Sequence, residues 1–173
     1  MSSLMITIDK ILPVELHKYD FYLIMLVFEN ILICSFVHEN TKPTIETEFH
    51  TSFEIAKKFN SQIILLKCIH NESSTFRLFK TKSYMKKQNE LDEKINSSLD
   101  EFKKMATQYN IPVKTESTFV DSLSESITEY IHKNKIDLLI VDSSPPTDIN
   151  FNDYKEIVNR IYRNVDCPIL TLK

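Results

Sequence analysis

"AKKFNSQIILLKCI", residues 56–69, joins two kinds of apolar pattern across one asparagine. Up to Phe59 the spacing is helical: Ile45, Phe49, Phe53, Ala56 and Phe59 share one face of a helix over 44–59. After Asn60 comes "QIILLKCI" (62–69), apolar at nearly every position, the pattern of a strand covered on both faces. Asparagine is the usual alternative to glycine for the left-handed residue that closes a helix, so Asn60 marks the boundary. A helix that turns directly into a two-faced strand predicts an α/β fold on a parallel sheet.

The alternation continues in both directions. "ILICSFV" (31–37) reads as a buried strand before the first helix, and "LDEKINSSLDEFKKMATQY" (91–109) aligns Leu91, Ile95, Leu99, Phe102, Ala106 and Tyr109 as a helix. "VKTESTFV" (113–120) alternates as an edge strand does. "SLSESITEYIHK" (122–133) opens on the capping-box pair Ser122 and Glu125 and presents Leu123, Ile127, Tyr130 and Ile131 on one face. "DLLIV" (137–141) is a fourth strand, "DYKEIVNRIYRN" (153–164) a last helix and "PILTL" (168–172) a fifth strand. Asn110, Asn134 and Asn164 close their helices as Asn60 does. The whole predicts a single doubly wound domain with helices on both faces and right-handed crossovers.

Size and composition agree with one globular domain: 173 residues, 42% hydrophobic and 26% charged. A net charge of −3 gives no global attraction for nucleic acid. The three cysteines, Cys34, Cys68 and Cys167, are scattered and odd in number, which signals neither a disulfide framework nor a zinc site and fits a reducing, cytoplasmic setting. "FYLIMLVFENILICSFV" (21–37) is 17 residues with Glu29 and Asn30 inside it, too short and too polar to span a membrane. Glycine is absent altogether, where average usage of about 7% predicts roughly a dozen. Gly-rich phosphate loops use that residue for close backbone approach and for positive φ, so no such loop can be built here in the usual way. Residues 1–24 fall outside the alternation and are expected to be an N-terminal extension, or the product of an upstream start codon; the domain proper covers 25–173.

The order of elements, with "FENILICSF" in front and "KIDLLIVDSS" followed by "NRIYRNVDCPILTLK" behind, resembles the universal stress protein family over about residues 25–173. "AKKFNSQIILLKCI" is similar to that family's first helix and second strand, and "VDCPILTLK" to its closing Cys-Pro-Val-Leu-x-Val. The resemblance implies a five-stranded parallel sheet in the order 3-2-1-4-5 and a homodimer, with Ile169 and Leu172 of the last strand contributing to the dimer contact. Nucleotide-binding members carry an acid after the first strand and Gly-x2-Gly-x9-Gly-Ser or -Thr after the fourth. In "CSFVHEN" Phe36 stands where the acid belongs, while Asp142 and Pro145 take the places of the first two glycines. Lys155 and Glu156 fall near the final Gly-Ser pair, and only Ser143 keeps a matching hydroxyl. Asp148, Asp153 and Glu156 also surround the start of the last helix, with Asp153 and Glu156 at capping-box spacing, so carboxylates are expected on the donors a phosphate would need.

These observations predict a non-enzymatic, dimeric binding or regulatory domain with a degenerate nucleotide pocket and no cofactor. The alternatives are a nucleotide-binding (ATP or AMP) stress-response protein and an enzyme on the related adenine-nucleotide hydrolase fold. The candidate pocket residues are Ser143 and Ser144, in the loop after the fourth strand, and Ile69 at the end of the second. The basic and aromatic segment "RLFKTKSYMKK" (77–87) offers a surface for a protein partner or an anionic ligand and otherwise reads as a solvated loop. Of the five histidines, His38 and His70 are expected at strand ends near the crevice. No metal site and no nucleophilic triad is indicated.

Overall fold

A computed structural model of the chain describes residues 5–7, 28–38, 49–70, 82–142, 145 and 149–172. In chain order these form β1 (Met5–Thr7), β2 (Asn30–His38), α1 (Phe49–Phe59), β3 (Gln62–His70), α2 (Lys82–Gln108), β4 (Val113–Val120), α3 (Leu123–Asn134), β5 (Leu138–Asp142), α4 (Phe151–Asn164) and β6 (Ile169–Leu172). Strands β2 to β6 lie in the order β4-β3-β2-β5-β6, all parallel, which is the 3-2-1-4-5 order expected. Alternation along each strand divides the apolar residues between two cores. Ile31, Ile33, Ile63, Leu65 and Ile69 meet α1 and α2 on one face, and Leu32, Cys34, Ile64, Leu66 and Cys68 meet α3 and α4 on the other. Right-handed crossovers require this arrangement: α1 and α2 step outward from β2, whereas α3 and α4 return across it in the opposite direction. Phe53 anchors the first core, with ring centroids 5.2 Å from Phe102 and 5.0 Å from Tyr109.

The sheet has a sixth strand. Met5, Ile6 and Thr7 lie parallel to Ile169, Leu170 and Thr171 along the outer edge of β6. The sequence reading sets residues 1–24 apart as an extension, because "MIT" is too short to carry a pattern. A contact between two copies through β6 would have to displace this strand. Ile169 and Leu172, expected at such a contact, are both buried within the chain.

The helix ends correct the sequence reading in detail. Asn60 and Asn110 do adopt the left-handed conformation, at φ 54° and 56°, and the next residue in each case returns a hydrogen bond across the last turn, Ser61 N to Ala56 O and Ile111 N to Ala106 O. After α3 the left-handed residue is Lys135, at φ 51°, and Asn134 instead donates its side-chain amide to Tyr130 O. After α4 the chain leaves through extended Val165, and the Asn164 amide donates to Arg160 O. Asparagine can satisfy a helix end either through its backbone or through its side chain, and periodicity does not distinguish the two. At the start of α3, Ser122 occupies the N-cap position but its hydroxyl makes no capping bond. Helix α2 begins at Lys82, well before the Leu91 at which apolar periodicity begins. The segment Lys82–Lys87 is therefore helical, not loop. It contains good helix formers and no proline or glycine, and Lys86 faces Glu90 one turn on at 3.9 Å.

A lysine held at positive φ carries a steric cost that glycine does not. Lys135→Gly should therefore raise the unfolding free energy by about 0.5–1 kcal/mol, net of glycine's greater unfolded-state entropy, seen as a higher urea midpoint with an unchanged slope.

Candidate functional site

Strands β2 and β5 are neighbours at the point where the winding reverses, and they pair over Ile31–Ile33 and Leu138–Ile140. Past that point β2 stays with β3 as far as His38, while β5 stays with β6 as far as Asp142. The crevice of a doubly wound sheet opens at such a division, outside the carboxyl ends of the strands. The opposite end is tied shut: the Asp137 carboxylate accepts from Glu29 N at 3.0 Å and Asn30 N at 2.9 Å, holding the starts of β2 and β5 together. Of the residues expected at the crevice, Ile69 is 1% exposed, packs in the α1–α2 core and lies between paired Val37 and Phe119. Ser143 and Ser144 lie outside the described residues. His38 and His70 end adjacent strands as register partners.

The anion-attracting feature of such a crevice is the helix start that follows it, here the first turn of α4. That turn supplies its own acceptor. Asn150 is the N-cap, its Oδ1 accepts from Asp153 N at 2.9 Å, and its Nδ2 donates to the Asp153 carboxylate. The capping box is thus Asn150 with Asp153, not Asp153 with Glu156, because the helix starts at Phe151, two residues earlier than the apolar pattern suggests. Glu156 is turned along the helix instead, accepting from Arg160 Nη2 at 2.5 Å. The acceptor on the backbone donor Asp153 N is thus an amide oxygen, not the carboxylate expected, and the Asp153 carboxylate stands beside it on the Asn150 amide. Phe151, the first residue of this turn, is 59% exposed.

Elsewhere the reactive groups are quiet. Cys34, Cys68 and Cys167 are buried and in no disulfide. Burial pushes Cys68 up to about 12 and Cys167 up to about 11, and raises Cys34 well above its ordinary value. None is a thiolate nucleophile at neutral pH. Among the described residues no group of three histidine, cysteine or acidic side chains is placed to hold a metal ion, and no helix is long and apolar enough to cross a membrane. A polar groove of about 450 Å³ runs between α3 and α4, lined by Glu125, Thr128, Glu129, His132, Arg160 and Asn164. His132 Nε2 lies 3.1 Å from Asn164 O, so the groove is bridged at one end.

No protein-family model and no curated protein matches the sequence. The structure does find counterparts. Universal stress protein UspA from Lactobacillus plantarum superposes with a TM-score of 0.62 at 13% identity, over 84% of this chain and 98% of the other. A universal stress family protein from Burkholderia pseudomallei gives 0.60 at 12% identity, over 84% and 96%. A family member from Arabidopsis thaliana with AMP bound gives 0.53 at 12% identity, over 84% and 91%. The chain has the universal stress protein fold.

One buried charge escaped the sequence reading. Lys67, in the middle of β3, is 4% exposed and donates through Nζ to Ser98 Oγ of α2. The two line a cavity of about 10 Å³ with Ser35, Phe49, Glu101 and Met105, at the lower limit for one water molecule. The signal was present in "QIILLKCI", where a lone cation interrupts a two-faced apolar strand. A buried ammonium is tolerated only while it is partnered. Ser98→Ala should therefore lower the unfolding free energy by about 1–3 kcal/mol, whereas Lys67→Met, alone or with Ser98→Ala, should fold with stability near the parent or above it. Chemical denaturation of the three variants checks this.

Proposed function

We propose that the chain is a non-catalytic binding or regulatory domain of the universal stress protein type, and that its crevice does not take up a nucleoside triphosphate. The observation that carries this reading is the first turn of α4, where Asn150 Oδ1 already holds Asp153 N and the Asp153 carboxylate, held by Asn150 Nδ2, adds a negative charge beside the helix start. Like charges at a helix start oppose an incoming polyphosphate, and displacing the cap would cost about 1 kcal/mol besides. The absence of glycine supports the same conclusion, since a side chain at every position keeps the backbone donors at a distance. The neutral thiols argue against cysteine nucleophile chemistry. The reading keeps the basic segment 77–87 as a surface for a protein partner or an anionic ligand, and the cytoplasm as the setting.

A second reading has one observation in its favour: a neighbour of this fold carries AMP. A monophosphate brings less charge to the turn than a triphosphate does. The two readings separate by experiment. The chain has no tryptophan, so stoichiometric adenine carried through purification would raise the nucleotide absorbance band visibly above the protein band. At a ligand concentration about 100 times Kd a real site stabilises by about 2.7 kcal/mol. The expected outcome is no co-purifying adenine and no thermal shift with magnesium and ATP. A shift with AMP alone establishes the second reading, and a shift with ATP overturns the first.

A further inference from the structure

The groove between α3 and α4 has a volume of about 450 Å³, within the range of small-molecule sites. Its α4 residues, Arg160 and Asn164, belong to the last turns of that helix, away from the capped first turn at the crevice. Its hydrogen-bonding groups are unevenly used. Thr128 Oγ1 donates to Ser124 O at 2.8 Å, and Asn164 Nδ2 donates to Arg160 O at 2.7 Å. His132 Nε2 faces a carbonyl, Asn164 O, and so supplies the proton of that contact. What these residues have left are acceptors: the Thr128 oxygen, Asn164 Oδ1 and, in the neutral ring, His132 Nδ1. The Arg160 guanidinium is met on its own helix by the Glu156 carboxylate. Glu125 and Glu129 add two carboxylates one helical turn apart, and among the described residues neither has an ion-pair partner. Like charges at that spacing work against the helix that carries them. Ser124 points to a ligand independently of these charges. It is 8% exposed and lines the groove, and its hydroxyl has no hydrogen-bond partner among the described residues. A buried hydroxyl left unbonded is unfavourable until something completes it.

We propose that this groove binds an aliphatic polyamine. Such a ligand brings positive charge and N–H donors and no acceptor, the complement of what the groove leaves open. A monoamine would make one exposed ion pair, which contributes little in salt. Linked ammonium groups engage Glu125 and Glu129 together, and the second contact forms within the same complex. Side chains about 5–6 Å apart at Cβ match ammonium groups separated by roughly three or four methylenes. The Ser124 hydroxyl, which both accepts and donates, takes a further N–H. A metal ion is a poorer occupant, because among the described residues no three histidine, cysteine or acidic side chains converge on one point. This inference is independent of what the crevice binds.

The test is a calorimetric titration of spermidine into the full chain at about 0.15 M salt, where surface charges are well screened. The expected result is a saturable isotherm with one site per chain. Glu125→Gln with Glu129→Gln should weaken binding about tenfold or more, since both anchors of the linked ammonium groups are lost. Both side chains are exposed, so the variant keeps its fold. Glu54→Gln with Glu93→Gln removes the same charge from exposed positions on α1 and α2, across the sheet, and should leave the affinity within about twofold. A second measurement needs no variant: spermidine should shift the amide resonances of Ser124 and Thr128 and leave that of Asp153 in place. The proposal is overturned if no saturable binding appears, or if the two double variants lose affinity equally. Binding that an equal concentration of magnesium chloride abolishes overturns it too, as does uptake of an oligolysine peptide without uptake of spermidine.

Discussion

The side chains of β3 enter two separate cores, Ile63, Leu65 and Ile69 on one side and Ile64, Leu66 and Cys68 on the other. A strand apolar on both faces has no side it can leave in water, so helices must cover the sheet above and below. The described residues hold four helices that do it, and right-handed crossovers then fix which pair lies on which face. The place where the winding reverses, between β2 and β5, is a consequence of that coverage. So is the crevice that opens past Ile33 and Ile140. The site is located by packing before any polar residue is considered.

What the crevice can hold depends on a backbone built without glycine. Left-handed positions are taken by Asn60, Asn110 and Lys135, which shows that turns of this fold do not need glycine. A phosphate cradle needs more than a turn, because the anion must come within hydrogen-bonding distance of main-chain N–H groups. At α4 one of those groups, Asp153 N, already donates to Asn150 Oδ1, in a cap that also sets where the helix begins. The reading proposed for the crevice rests on this cap, because the residues that stabilise the helix start also bring a carboxylate beside it.

Element order and the need to cover the sheet on both faces were legible in the sequence because they rest on apolar patterns, which β3 and α1 carry clearly, whereas the sheet order was an expectation of the family resemblance. The features that escaped rest on single contacts. Lys67 is one cation that is buried while donating to Ser98 of another element. The cap at Asn150 involves a residue outside the apolar pattern, and Asn134 has the composition of a left-handed closer but yields that role to Lys135. The exposed start of α2 has no face to bury, so periodicity could not reveal it. Strand β1 is three residues whose pairing partner is more than 160 positions away, and no local pattern encodes such a contact.

The central proposal is that the first turn of α4, where Asn150 Oδ1 already holds Asp153 N, does not receive a polyphosphate. The most direct measurement is a titration of the isotopically labelled chain with magnesium and ATP, following the amide resonances of Phe151, Asn152 and Asp153. The account predicts that all three stay in place as the nucleotide is raised. A saturable shift of the Asp153 amide, showing that Asn150 Oδ1 has given up its hydrogen bond to a phosphate oxygen, would contradict it.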